Sequence, residues 1–514
     1  MTRAFPTQTN KKVNPLATKL WEFRNVLRDS GLSTAEFVEQ LTYLIFLKMA
    51  DEITARPVTE TKKRAAIVPA GYDWNSLTEK TGSELGDHYR VVLAEHAKKD
   101  PATTVGTLFA GSQNRIPNGD LLRKLIVDLI DAVDWKRRAI DLMGDAFEVL
   151  LARSAEDTKT GAGQYFTPRP LVKAIIDVVQ PRPTDTITDP ACGTGGFLIA
   201  AHHYIREHHH ELSPQEFRAL VSGRIWGQEL VPNTVRLAVM NMLLHGLGSA
   251  VGQSLVVTGD ALLTQPSRHA SLVLTHPPFG KMSAITAVGR NSVGEKEDVR
   301  YPRNDFMITT ANKQINFLQH VMSSMEMNGR AAVIVPDNVL FETGTCVKLR
   351  RRLLDDFDLH TILRLPTGIF YAGGVKANVL FFDKRPRIAG KSNTSRLWVY
   401  DLRTGMQFSL KQKPLQQADL AEFVEAYLPG RSHTDRIKTE RFRCFSYAEL
   451  IARDHLNLDI AWTDDSALDD THTAPPPGVI AREIIENLEA ALTQFASVAE
   501  ELGGEPLPQT DMQE

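Results

Sequence analysis

Cysteine is scarce: Cys192, Cys346 and Cys444 are the three in 514 residues. They lie too far apart for a CxxC zinc spacing, and an odd count builds no disulfide framework, so a reducing cytoplasmic setting is expected. Long apolar runs are missing as well. No stretch approaches the ~20 residues that span a bilayer, and the opening MTRAFPTQTNKKVNP has no signal-peptide core, so no membrane partner is expected. Nor is there an excess of charge of one sign. Lys and Arg number 59 against 62 Asp and Glu, a net −3, which leaves no overall field drawing the chain to nucleic acid. If it acts on DNA, another component must supply affinity. Hydrophobic residues at 42%, with 33 Gly and 27 Pro, exclude wholesale disorder and collagen-like repeats.

At roughly 150 residues per domain the chain should hold about three folding units. Leu20, Phe23 and Leu27, then Phe37, Leu41, Leu44, Ile45 and Met49, recur at helical spacing on either side of Ser30, Gly31 and Ser33, which predicts two amphipathic helices. Residues 53–118 read as loop-rich, and helical periodicity returns over Leu121–Ile130 and Ile140–Leu151. We therefore expect a helical N-terminal domain over 1–155. Over 156–390 short β-branched runs alternate with helical stretches: Thr186–Thr188, Arg224–Gly227, Leu255–Thr258, Leu272–Thr275, Ala332–Val335, Thr361–Leu365 and Val379–Phe382. That alternation predicts an α/β fold with a mostly parallel, doubly wound sheet, whose ligands bind outside the carboxyl ends of the strands. A smaller mixed segment is expected over 391–462 and a linker over 463–478, with four aspartates and Pro475-Pro476-Pro477. A helix over 479–502 follows, with Ala481, Leu488, Phe495 and Leu502 at one heptad position and Ile484, Ala491 and Val498 at the other. Such a seam suits a partner helix or the chain's own surface. The acidic tail, 503–514, should avoid DNA.

The strongest local signal is Asp189-Pro190-Ala191-Cys192-Gly193-Thr194-Gly195-Gly196-Phe197, between a predicted strand and a helix. Glycines at such a turn let a ligand approach the backbone. Counted from Gly193, the sixth position is Leu198, so the dinucleotide pattern GxGxxG is absent. An acid before the turn is suited to hold a cationic amine, and the arrangement resembles the first motif of S-adenosylmethionine (SAM) methyltransferases. On that reading Glu229, ending the next strand in Ile225–Glu229, would accept from both ribose hydroxyls, and Asp260, after Val256–Gly259, from the adenine amino group. Upstream, Gln164, Tyr165, Phe166, Thr167, Pro168 and Arg169 precede an apolar helical face. Thr167 there is expected as an N-cap and Pro168 as the first helical residue, while the segment also encloses the cofactor.

Taken in order, FTPRP, DPACGTGGF, QE, GD and PPFG resemble a SAM-dependent amino-methyltransferase of the adenine-N6 type. Asn316–His320, Gly329–Val333, Pro336–Phe341 and Leu365–Phe370 are similar to stretches of the modification (M) subunit of type I restriction-modification systems. The resemblance runs nearly the whole chain. It implies a Rossmann-like methyltransferase sheet, SAM as cofactor, double-stranded DNA as substrate, and assembly with a specificity (S) subunit, a second M subunit and a restriction (R) subunit. It also implies a reacting centre at His276, Pro277, Pro278 and Phe279. In the family an Asn oxygen and a backbone carbonyl of the Pro-Pro stretch accept the two amine hydrogens, and the aromatic residue stacks on the flipped base.

Here His276 stands where the family has Asn. A neutral imidazole offers one acceptor nitrogen; if that is Nδ1, it sits on Cγ as the amide oxygen of Asn does. The ring is larger, its tautomer must be right, and when protonated it donates only, so attenuated methyl transfer is expected. Two other readings stay open: a SAM-binding scaffold without catalysis, and a methyltransferase for another amine or amide such as protein glutamine. No metal is expected from His202, His203 and His208–His210, because adjacent helical histidines diverge and no acid or cysteine completes a shell. The basic run Lys348–Arg352 reads as a solvated helix face, and Lys281–Arg303 as a loop contacting the DNA backbone.

Overall fold

Two amphipathic helices, Pro15–Arg28 and Thr34–Ala55, open the chain on either side of the expected break. The second starts at a capping box in which Ser33 and Glu36 satisfy each other's backbone N–H groups. The computed structural model describes residues 15–28, 30–56, 64–133, 135, 137–157, 167–279, 284–285, 297–298, 301–370, 376–403, 406, 408–410 and 413–462. Over its described residues, segment 53–118 holds more regular structure than its composition predicts. It carries the helices Trp74–Thr78, Gly82–His96 and Thr104–Phe109, the first and last capped by Asp73 and Thr103. Local polar caps and buried anchors such as Trp74 and Tyr89 replace the missing periodicity. Gly119–Lys124 then runs into a π-helical stretch, Leu125–Asp131, and Arg137–Asp157 closes the helical region.

The α/β expectation holds. The strands are β1 (Ile187–Asp189), β2 (Ile225–Glu229), β3 (Val256–Thr258), β4 (Ala270–Thr275), β5 (Ala284–Ile285), β6 (Glu297–Asp298), β7 (Met325–Pro336), β8 (Phe357–Leu365), β9 (Ala377–Lys384), β10 (Arg396–Asp401) and β11 (Phe442–Ser446). Nine form one sheet in the order β11-β10-β8-β9-β7-β4-β1-β2-β3; β5 and β6 pair separately. Strands β3, β2, β1, β4 and β7 are parallel, and β9 inserts antiparallel between β7 and β8. From β1 the chain winds outward through β2 and β3, then crosses back to β4 and on to β7. The winding reverses between β1 and β4, and the crevice at their carboxyl ends is where open α/β sheets bind ligands.

The sheet does not stop near residue 390. Segment 391–462, set apart above, adds β10 parallel to β8 and β11 antiparallel to β10. It is also anchored by Arg350, a member of the basic run expected to be solvated. The Arg350 guanidinium is fully buried and donates to the carbonyls of Val339, Glu342, His455 and Leu456.

The helical region is bolted to the sheet through the helix Pro232–Leu244, which connects β2 to β3. Its Arg236 is 3% exposed and donates to the carbonyls of Leu108 and Ala110 and to Glu39. Thr104 adds bonds to the carbonyls of Ser249 and Gly252. Residues up to Ile460 form one compact unit and Ala461–Glu514 a second. The linker, the heptad helix and the acidic tail expected over 463–514 lie outside the described residues. Among the described residues no helix is long and apolar enough to cross a membrane.

Candidate active site

Strand β1 ends at Asp189, and the glycine-rich turn follows at once. Gly193 and Gly195 take φ of +53° and +84°, a region in which a Cβ is strained, and the helix Gly196–His208 starts immediately after. The turn is stitched to its neighbours. Cys192 N–H donates to the Gln228 carbonyl at 3.0 Å, Gly193 N–H to Glu229 Oε2 at 3.1 Å, and the Asn241 amide to the Thr194 carbonyl at 3.0 Å. Glu229 therefore has a structural duty besides any contact with a ligand, since its other oxygen takes the Val231 N–H.

Asp189 is 2% exposed, and its Oδ1 accepts from the Thr275 hydroxyl at 2.6 Å and the Ala191 N–H at 3.0 Å. The Thr275 bond ties the end of β1 to the end of β4. Burial raises the Asp189 carboxyl to about 7 against these two bonds, with Glu229 adding a like charge. Glu229 is also raised, by burial first, against the N–H groups of Val231 and Gly193. Two acids held this way are poised for a cation. After β3, Asp260 accepts from Leu262 N–H and, at 2.9 Å, from the Tyr301 hydroxyl.

At the end of β4 comes His276. Its ring is wedged between two aromatics, with centroids 4.8 Å from Phe279 and 5.1 Å from Phe370, and these two pack edge to face at 5.9 Å. Burial lowers its pKa to about 4, so the ring is neutral near pH 7. Its Nδ1 lies 2.9 Å from Thr167 Oγ1. That contact changes two expectations. Thr167 does not cap the following helix: Pro168 holds the N-cap position without a side-chain bond, and the helix runs Arg169–Val179. And Nδ1, the nitrogen placed like an amide oxygen, is occupied by Thr167.

One cavity of about 1510 Å³ collects these groups. Thr167, Arg169, Asp189, Thr194, Gly196, Glu229, Asp260, His276 and Pro278 all line it. Gly193 and Gly195 shape the turn at its wall, Pro277 is buried, and Phe279 is half-buried and turned onto His276. Gln164, Tyr165 and Phe166 lie outside the described residues. The motif reading missed Asn241, Tyr301, Lys313 and Phe317, which also line the cavity. Only Asn241 carried a local signal, an amide within the apolar run of Pro232–Leu244; it is 2% exposed and its Oδ1 has no hydrogen-bond partner among the described residues. Phe370 lies in a stretch that the family resemblance covers without giving it a role. The end of the basic loop Lys281–Arg303 is corrected outright. Arg303 is buried, paired with Asp305, and donates to the Ala261 and Leu262 carbonyls, so it shapes the wall beside Asp260 and is not free for a phosphate.

Known proteins share both the sequence and the fold. The family model "N-6 DNA Methylase" matches residues 138–461, and the "HsdM N-terminal domain" model matches 16–129. The chain is 37% identical to the methylase subunit of the type I restriction enzyme EcoKI of Escherichia coli K12, over 95% of this chain and 96% of that one. The StySJI methylase subunit of Salmonella typhimurium matches at the same identity and coverage. Among solved structures, a chain from a study of type I restriction-modification complex assembly superposes with TM-score 0.70 at 25% identity, covering 96% of this chain and 99% of that one. A modification subunit of a putative type I restriction enzyme from Vibrio vulnificus gives 0.68 at 25% identity, covering 88% and 96%. With its glycine turn, its strand-ending acids and its Pro-Pro-Phe loop at the switch of a doubly wound sheet, the chain belongs to the N-6 DNA methylase family, among the methylase subunits of type I restriction enzymes.

Proposed function

We propose that this chain binds SAM in the cavity and transfers its methyl group to N6 of an adenine in double-stranded DNA, at a target chosen by a separate S subunit. A second M subunit and an R subunit complete the proposed assembly. The observation that carries the reading is the convergence of Asp189, Glu229 and Asp260, at the ends of three consecutive parallel strands, with the His276-Pro277-Pro278 loop on one cavity. The residues fit the cofactor: two buried acids with raised pKa suit a ligand bearing cationic groups, and Asn241 Oδ1 is a buried acceptor without a partner among the described residues. When bound, SAM supplies an electrophilic methyl group.

The chain's own residues do the rest. Asp189 and Glu229 orient the cofactor's ammonium and ribose ends, Asp260 meets its adenine, and Thr167, Arg169 and Gly193–Gly196 wall it in. A target amine is a poor nucleophile while its lone pair is delocalised, so acceptors at His276 and the Pro277 carbonyl would draw its hydrogens out of plane, with Phe279 beside the base. Methylation-sensitive sequencing of DNA from cells carrying this gene with its neighbours tests the reading. Adenine methylation at one sequence motif, lost with this gene, is the expected result.

One observation favours a second reading, a scaffold that binds SAM without catalysis: His276 in place of the family's Asn. Absence of any adenine methylation by an assembled complex that still binds SAM would establish it. A tritiated-methyl assay offering DNA and protein together separates DNA from protein glutamine as acceptor.

A further inference from the structure

Thr167 and His276 are 109 residues apart, yet their side chains meet at 2.9 Å in the lining of the cavity. The contact is between a hydroxyl, which donates or accepts with equal ease, and a neutral imidazole, which must carry its single proton on one nitrogen or the other. The two arrangements have opposite consequences. If the hydroxyl donates to Nδ1, the proton sits on Nε2, and the ring presents a donor to the cavity. If Nδ1–H donates to the hydroxyl, Nε2 presents a lone pair.

Phe279 and Phe370 flank the ring at interplanar angles of 57° and 55°, and turning it over would carry Nδ1 away from the Thr167 hydroxyl. Among the described residues nothing hydrogen-bonds to Nε2, while His276 itself lines the cavity. The hydroxyl is the only partner the ring nitrogens have there. Whatever proton arrangement Thr167 selects is what a ligand in the cavity meets.

We infer that Thr167 is a positioning residue that accepts the Nδ1 proton of His276 and so holds the ring in the tautomer whose Nε2 faces the cavity as an acceptor. This rests on the methyl-transfer reading for its purpose, since only that tautomer receives a hydrogen from an exocyclic amine. It also moves the acceptor. Nε2 stands at the far edge of the ring, a ring's width beyond the place of an amide oxygen, so the amine is received farther from the β4 backbone than an Asn would receive it. His276 is then a working replacement whose competence depends on a residue of a different motif.

The test is nuclear magnetic resonance of the full chain labelled with ¹⁵N-histidine, the His276 signals being identified by their loss in His276→Asn. The native spectrum should show a protonated Nδ1 and an unprotonated Nε2. Thr167→Val, which keeps the shape and removes the hydroxyl, should shift the proton toward Nε2, and Thr167→Ser should return it to Nδ1. In single-turnover methylation by the assembled complex at saturating cofactor, Thr167→Val should lose about three- to tenfold, the worth of one neutral hydrogen bond, and Thr167→Ser should recover most of that loss. A proton on Nε2 in the native chain, or a tautomer that Thr167→Val leaves unchanged, overturns the inference, and the native spectrum alone decides the first point if the valine variant does not fold. A changed tautomer with an unchanged rate overturns its catalytic purpose. An Nδ1–H tautomer in a complex that methylates no adenine removes the methyl-transfer reading and leaves the pairing intact.

Discussion

Asp189 carries a proton about half the time near pH 7, because burial lifts its carboxyl to about 7. The sign follows directly. The folded state holds this proton between the unfolded value near 3.9 and about 7, so Asp189 lowers stability progressively as pH rises through that window. A cation beside the carboxylate reverses the preference and expels the proton. SAM binding should therefore release protons at and below about pH 7, where the empty site still holds the proton, and tighten as pH rises toward that value, measurable by calorimetry in buffers of different ionisation enthalpy. Asp189→Asn, which keeps an acceptor for the Thr275 hydroxyl, should lower affinity roughly ten- to a hundredfold and abolish the release. Unchanged affinity would remove Asp189 from the cofactor site. His276 behaves in the opposite sense: burial lowers its pKa to about 4, so the acid loss of activity expected from an ordinary imidazole near 6.5 moves down to about pH 4–5. His276→Asn should raise the single-turnover rate by about ten- to a hundredfold, since an amide oxygen needs no tautomer and sits where the family places it. Equal rates at every pH from about 5 to 8 would show that the imidazole is as good an acceptor.

At the scale of elements, the glycine turn depends on how closely β2 passes beneath it. A Cβ on Gly227 would stand 2.8 Å from Cys192 Sγ, 2.9 Å from Cys192 Cβ and 3.0 Å from Leu198 Cδ1. Gly227→Ala must push the turn off the strand, disturbing the Cys192–Gln228 and Gly193–Glu229 bonds together. We expect a loss of about 1–3 kcal/mol in denaturant unfolding, together with weaker SAM binding; a variant weakened in neither would mean that the turn tolerates displacement. The helix Pro232–Leu244 makes a second such dependence through Arg236. Arg236→Met leaves the Leu108 and Ala110 carbonyls without the Arg236 donor and Glu39 with the Tyr43 hydroxyl but no cation, a defect of about 3–5 kcal/mol. Limited proteolysis should then release the helical N-terminal region before the sheet. Cleavage at the native rate would show that the interface rests on apolar packing alone.

For the whole molecule, charge decides what the chain does alone. With a net −3 it has no broad positive field, and affinity for a polyanion requires one. Arg303 and Arg350, two cations of its basic runs, are spent on internal carbonyls. The isolated chain should bind duplex DNA weakly and without preference for sequence, gaining specificity in complex with an S subunit. Truncation at Thr473, which removes the segment whose heptad pattern suits a partner helix, should weaken that complex in size-exclusion runs while SAM binding survives. Tight sequence-specific binding by the chain alone, in gel-shift titrations at physiological salt, would overturn this division of labour.

What the sequence determined by itself is contiguous: the two opening helices, the alternation that made a doubly wound sheet, and the order of Asp189-Pro190, the glycine turn, Glu229, Asp260 and the Pro277-Pro278-Phe279 loop. These are legible because each rests on a short run of neighbours, a periodicity, a turn or a strand-ending acid. Tertiary structure alone decided what those groups face. The Thr275 bond to Asp189 spans 86 residues and the Thr167 contact with His276 spans 109, and neither leaves a periodic trace. Phe370 and Tyr301 reach the site from loops beyond β8 and before β7, and β9 inserts against the direction of its neighbours. The same burial raises Asp189 and lowers His276, since desolvation disfavours whichever form is charged. How deeply a side chain is buried depends on which strands lie side by side, and no local run of residues records that.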